Sequence, residues 1–215
     1  MRVHRYTRTC IKGSRGGGED EVTGVVLAVI ARLGATACWR VQVVPPHTLQ
    51  ESRRSTLQEV EWLDGRDSFG RPTAVFYADR HFPGEIEQSE WVRFVIHNAE
   101  AAVLRYGLNE GPGGQFNLIV DRSSSGIRNQ DPALALAVLP TVQDHYPGLL
   151  GRVFIAPINP IFYLAWNVVR LFLKPATIQK FELLRGGDWQ RQLSDSIGGD
   201  VRLPPSLVSS DGTES

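Results

Sequence analysis

The chain predicts an α/β architecture with a mixed, mostly parallel sheet, and three observations carry that expectation. Short, continuous apolar runs alternate with longer segments whose apolar residues recur at helical spacing. The runs are apolar on both faces, as strands covered on both sides require. Parallel neighbours in a sheet need crossovers, and the helical segments supply them. At 215 residues, 42% hydrophobic and 21% charged, with 23 basic and 23 acidic residues, the composition is that of an ordinary globular domain. The balanced charge argues against a nucleic-acid partner.

Residues 1–38 are expected to form a poorly defined N-terminal segment, residues 39–205 the folded domain and residues 206–215 a disordered tail. The first 18 residues carry Arg2, Arg5, Arg8, Lys12 and Arg15 and no acid, and "SRGGGED" is linker-like. The basic start is read as an irregular terminus in preference to a transit peptide. The run Gly24 to Ala37 is interrupted by Arg32 and falls short of the roughly 20 residues that span a bilayer, so no transmembrane helix is expected. Cys10 and Cys38 stand in no metal or redox spacing.

The turn "DGRDSFG" leads into a strand starting near Thr73. Over Gln88 to Tyr106 the residues Trp91, Phe94, Val95, Ala99, Ala102, Val103 and Tyr106 share one helical face, and Gly107 ends the helix. "GPGG" breaks the chain before a buried strand at Gln115 to Asp121. Asp131 and Pro132 open the next helix, which contains Pro140 and stops at "YPGLLG". "RVFIA" at Arg152 to Ala156 is a third strand, Ile161 to Leu173 a third helix and Ile178 to Leu184 a fourth strand. "GGDWQRQLSDSIGG" gives a last short helix.

Catalytic readings fare poorly. There is no phosphate-cradling G-x-x-x-x-G-K-[ST], and the Gly-rich stretch precedes a strand where a nucleotide site needs a strand-to-helix link. Asp121 at a strand end lacks the second acid of an aspartyl-phosphate centre, since Ser123 stands two residues on. Ser123, Ser124 and Ser125 lie outside a nucleophile elbow, and His145 beside Tyr146 and Pro147 reads as structural. The five histidines are dispersed, so no metal is expected.

The informative feature is Ile161 to Leu173, apolar almost all round, with Asn167 and Arg170 on one narrow face. Such a helix is ordinarily buried. Phe162, Tyr163, Trp166 and Phe172 together with the following Lys174 and Lys180 instead suit a cover that closes an apolar cavity and meets a membrane with its other side.

At this point the sequence resembles a known family. "HYPGLLGRVFIAPINPIFYLAWNVVRLFLKPATIQKF", His145 to Phe181, is similar to the signature of the CRAL-TRIO lipid-binding domain, the family of yeast-type phosphatidylinositol-transfer, retinaldehyde-binding and tocopherol-transfer proteins. The motif runs through Tyr146-Pro147, "FIAPINP", the apolar helix, and Leu173, Pro175, Thr177 and Lys180. Upstream, "DSFGRPTAVFYADRHFP" and "FNLIVDRSSSG" agree in order, so the resemblance covers about Trp39 to Leu203. Gly148 stands where phosphatidylinositol-binding members carry Glu, and the family's helical amino-terminal subdomain is not recognisable in residues 1–38, where "GVVLAVIARLGATACWR" is its one candidate remnant.

The resemblance implies a sheet-floored, helix-walled apolar pocket and a mobile gate helix formed by Phe162, Tyr163, Trp166, Val169 and Phe172. It implies Thr177 and Lys180 as headgroup ligands, and Phe76, Val120, Phe154 and Phe181 are the strand residues expected near the ligand. The expected protein is therefore non-enzymatic, cytoplasmic, monomeric and peripheral at anionic membranes. It binds a phospholipid such as phosphatidylinositol and needs no cofactor beyond the bound lipid. The other reading is an adaptor that tethers a membrane or a protein without moving lipid.

Overall fold

The computed structural model describes residues 19–43, 60–108 and 114–209. The basic start, the "GPG" of "GPGG" and the expected tail beyond residue 209 lie outside them, whereas the start of that tail is ordered, a 3₁₀ turn at Pro205–Leu207 burying Leu207 in the core.

Five strands form one sheet in the order β1 (Glu61–Trp62), β2 (Thr73–Tyr77), β3 (Phe116–Asp121), β4 (Leu150–Ala156) and β5 (Phe181–Leu183). β1 runs antiparallel to β2, and the other pairings are parallel. Because spatial order follows chain order, crossovers of one hand place every connecting helix on the same face of the sheet. Those helices are α2 (Gln88–Tyr106), α3 (Pro132–His145) and α4 (Pro160–Val169), the last continued by a 3₁₀ turn at Arg170–Phe172. A short helix α5 (Pro175–Ile178) precedes β5, so the fourth expected strand starts three residues later than its apolar run. β1 was not foreseen, since two residues carry no periodicity.

The other face is covered by α6 (Trp189–Ile197), whose Trp189, Leu193 and Ile197 recur at i, i+4 and i+8. They pack on Val75, Ile119 and Phe154 to form a closed core with Leu63, Leu184 and Leu207.

Helix ends match their chemistry. Asp131 Oδ1 accepts from the Leu134 backbone N–H at 2.9 Å and Asn159 Oδ1 from that of Phe162 at 2.8 Å, with Pro at the first position of both helices. Gly107 ends α2 at φ +60°, a conformation that favours glycine.

The first described helix, α1 (Glu19–Val43), contains the stretch read as a candidate helical remnant, and it corrects the boundary drawn after residue 38, through which it runs. From Thr23 to Val43 it is long and apolar enough to cross a membrane. Here it lies against the domain. Arg40 donates to both oxygens of Glu100 at 2.7 and 2.9 Å, Arg32 bonds Asp144 at 2.7 Å, and Trp39 stacks on His145 with centroids 3.9 Å apart.

A buried polar knot fixes the start of the sheet. Asp67 accepts from Arg71 Nε at 2.7 Å, Asn117 Nδ2 at 2.8 Å and the backbone N–H groups of Phe69 and Arg71. Asn117 in turn accepts from the Arg152 N–H, where the β3–β4 register slips by one residue. Gly151 sits at that slip because a Cβ there would lie 2.8 Å from Asn117 Oδ1 and 2.9 Å from Arg71 Cδ.

Candidate ligand cavity

Between the sheet and its three crossover helices lies a cavity of about 390 Å³, within the range of small-ligand sites. Its floor is made by Phe76 of β2, Leu118 and Val120 of β3, Val153 and Ile155 of β4, and Phe181 of β5. The pairings Phe76↔Val120 and Val120↔Ile155 put these side chains on one face. Phe154 is the exception among the expected pocket residues. It lies one residue out of phase, wholly buried in the opposite core, and its neighbours Val153 and Ile155 take the place assigned to it.

The walls come from helices. α2 contributes Trp91, Phe94 and Val95, and α3 contributes Leu134, Val138 and Val142 at i, i+4 and i+8. No residue of α3 is fully buried, although the helix is strongly apolar. Its inner face borders the cavity in place of packed side chains.

α4 forms the cover. Phe162, Ala165, Trp166 and Val169 line the cavity at i, i+3, i+4 and i+7. Trp166 packs on Phe181 with ring centroids 4.8 Å apart. The outer side of the same helix and its continuation exposes Ile161, Tyr163, Leu164, Val168, Leu171 and Phe172. Of the five expected gate residues, Phe162, Trp166 and Val169 therefore face inward, and Tyr163 and Phe172 face out.

The two ends of the cavity differ in chemistry. At the amino ends of the strands Trp62, Phe116, Leu149 and Leu150 close it with apolar surface. At the carboxyl ends of β2 and β3 the lining turns polar, with His81, Arg122, Asn129, Gln130 and Asp131. His81 Nε2 lies 3.2 Å from Asp131 Oδ2, and Asn129 Nδ2 donates to the carbonyls of Asp79 and His81 at 3.0 and 2.8 Å. Arg122 is 6% exposed; its guanidinium lies 4.2 Å from the Phe162 ring centre and donates to Pro157 O at 3.2 Å. Burial holds its pKa below the ordinary arginine value. None of these polar residues was singled out from the sequence as a binding residue, Asp131 being read only as the start of its helix. The available signal was Arg122 directly after a buried strand, at the edge of a parallel sheet where ligands sit.

Thr177 and Lys180 stand outside the cavity lining. Lys180 Nζ donates to Leu150 O at 2.6 Å, and the backbone N–H of Lys180 donates to Thr177 O at 3.0 Å, so both residues shape the approach to β5. Two of the three hydroxyls weighed as nucleophiles are engaged elsewhere. Ser123 Oγ donates to Asp121 Oδ1 at 2.6 Å and Ser125 Oγ to Arg122 O at 3.1 Å. His145 is stacked on Trp39, with Nδ1 3.2 Å from Thr36 Oγ1, and burial lowers its pKa.

Comparison with known proteins agrees with this geometry. A family model described as the CRAL/TRIO domain matches residues 58–202. Among solved structures the chain is similar to the crystal structure of Sfh5, with a TM-score of 0.66 and 14% identity over 87% of this chain and 66% of that one. The chain thus spans just under two thirds of that protein's length, and at this identity the likeness is one of fold. A match across most of the chain, on a five-stranded sheet roofed by an apolar helix, shows that the chain belongs to the CRAL/TRIO domain family.

Proposed function

We propose that this protein encloses one hydrophobic ligand in the cavity and exchanges or presents it at membranes by outward movement of α4. The observation that carries the reading is the two-sided cover. Phe162, Trp166 and Val169 face the cavity, whereas Leu164 and Leu171 are 68% and 76% exposed. A helix that only completed a core would have no use for a second apolar face. A cover that must close on a ligand and then meet lipid needs both. Each CH₂ of the ligand withdrawn from water contributes about 0.8 kcal/mol, so the cavity supplies affinity without directional contacts. Arg170 and Lys174 follow the cover and add attraction to an anionic surface.

On this reading the protein is a monomeric, cytoplasmic carrier that works by binding and not by catalysis. Membership of the family supports a hydrophobic small molecule as the ligand. Phosphatidylinositol is the finer form of the proposal, with Thr177 and Lys180 reaching its headgroup. That form requires Lys180 to leave Leu150 O, so Lys180→Ala tests it. The expected outcome is weaker uptake of phosphatidylinositol with uptake of a sterol or tocopherol unchanged, measured by transfer from labelled vesicles. Equal change in both would remove Lys180 from the site.

The outward face of α1 favours one second reading. Val26, Leu27, Ile30 and Val41 are exposed on a helix held to the domain by its other side. An adaptor would tether through that face and leave lipid in place. Binding to vesicles without extraction of lipid would decide for it.

A further inference from the structure

The polar end of the cavity holds a cation that the fold does not neutralise. Arg122 is nine-tenths buried, and among the described residues no carboxylate forms an ion pair with it. Its recorded partners are one carbonyl, Pro157 O, and the face of Phe162. A guanidinium presents five N–H donors in a planar fork, so most of its donor capacity is uncommitted. Asp131, the acid that shares this lining, is already occupied: Oδ1 by the Leu134 N–H and Oδ2 by His81.

Three further buried polar atoms in the same lining have no hydrogen-bond partner among the described residues: Trp91 Nε1, Gln130 Nε2 and His81 Nδ1. These three atoms are covered by protein, so they lie beneath the wall and the donor that the cavity itself meets is Arg122. Trp91 Nε1 and Gln130 Nε2 are obligate donors. Arg122 alone makes this end electropositive, opposite an apolar one. That polarity matches an amphiphile inserted head first toward the carboxyl ends of β2 and β3.

We propose that Arg122 is the anchor for the anionic head of a single-chain amphiphile, a carboxylate or a phosphate, whose tail fills the apolar remainder of the cavity. The inference rests on the cavity reading above and names a ligand class other than its phosphatidylinositol form, with the head at Arg122 instead of at Thr177 and Lys180. A forked guanidinium holds two oxygens of either anion at once. Because the same guanidinium lies over Phe162 of α4, the head and the cover share one side chain. Binding at the head therefore bears directly on the position of the cover.

Binding of oleate, oleyl phosphate and oleyl alcohol to the full chain, by displacement of a fluorescent apolar probe, tests this. The three share an 18-carbon chain with one cis double bond, and the head is anionic in the first two and neutral in the third. The expected result is that the anions bind at least tenfold more tightly than the alcohol, and that in Arg122→Leu the anions and the alcohol bind alike. Arg122→Lys keeps the charge without the fork and is expected to retain part of the preference, which keeps the test alive if the leucine variant fails to fold. The tighter of the two anions identifies the head. If the alcohol binds as tightly as the anions, or Arg122→Leu weakens all three equally, the anchor is overturned and the cavity reading survives. If the folded wild type takes up none of the three, the single-chain anchor is overturned, and uptake of lipid from mixed vesicles then decides the cavity reading separately.

Discussion

Asp67 shows how single side chains hold this sheet in register. Burial alone would raise its pKa, and hydrogen bonds from Asn117, from the backbone and side chain of Arg71 and from Phe69 outweigh burial, so its pKa lies below the ordinary 3.8. A carboxyl with a lowered native pKa binds fewer protons folded than unfolded. Its contribution is therefore complete above the ordinary value and is lost as pH falls through the native one. Asp67→Asn is expected to destabilise the fold by about 3 to 5 kcal/mol, since it leaves the Arg71 charge without its partner. It should also flatten the acid limb of a plot of urea midpoint against pH. An unchanged acid limb would assign acid sensitivity to other groups. The roles of Asp67 and Gly151 were not legible in the sequence, because the residues they serve are distant along the chain. The misplacement of Phe154 has the same origin: the slip at Gly151 resets the alternation along β4, and only the paired strand reveals which residues face the helices.

Helices were far more legible than their surroundings. The bounds of α2 and its glycine stop could be read from periodicity alone, as could the Asp131 and Pro132 start of α3. The apolar character of α4 was evident too, but its division into inner and outer faces depends on the sheet beneath. That division gives opposite expectations for two kinds of substitution. Leu164→Asp or Leu171→Asp on the outer face should leave stability within about 0.5 kcal/mol and reduce co-sedimentation with anionic vesicles. Trp166→Asp, facing Phe181 and the cavity, should reduce ligand uptake in the first instance. Loss of the fold in the outer-face variants would make α4 a plain structural helix. For α1, composition showed an apolar run but not what clamps it. Arg40→Ala removes the paired bonds to Glu100, and because Arg40 is partly exposed the expected cost is about 2 kcal/mol, less than for a fully buried pair. Limited proteolysis should then cut within α1 before the sheet domain, whereas an unchanged pattern would show that Trp39 and Arg32 hold it alone.

At the scale of the molecule, the strand order explains why there is a cavity at all. Parallel strands laid down in chain order send α2, α3 and α4 to one face, whereas α6 and the segment after it, with Val201, Leu203 and Leu207, close the other. On the closed side Trp189, Leu193 and Ile197 meet the sheet directly. On the open side the three helices arch over about 390 Å³. Alternation of strands and helices in the sequence announced the layers, but the volume left between them depends on side-chain packing that periodicity does not carry. Native mass spectrometry of the purified chain, after incubation with mixed-lipid vesicles and followed by lipid extraction, addresses the cavity most directly. The expected spectrum shows one lipid bound per folded monomer, lost in Trp166→Asp and retained in Leu164→Asp. A folded wild-type chain that leaves the vesicles without lipid would contradict the carrier function.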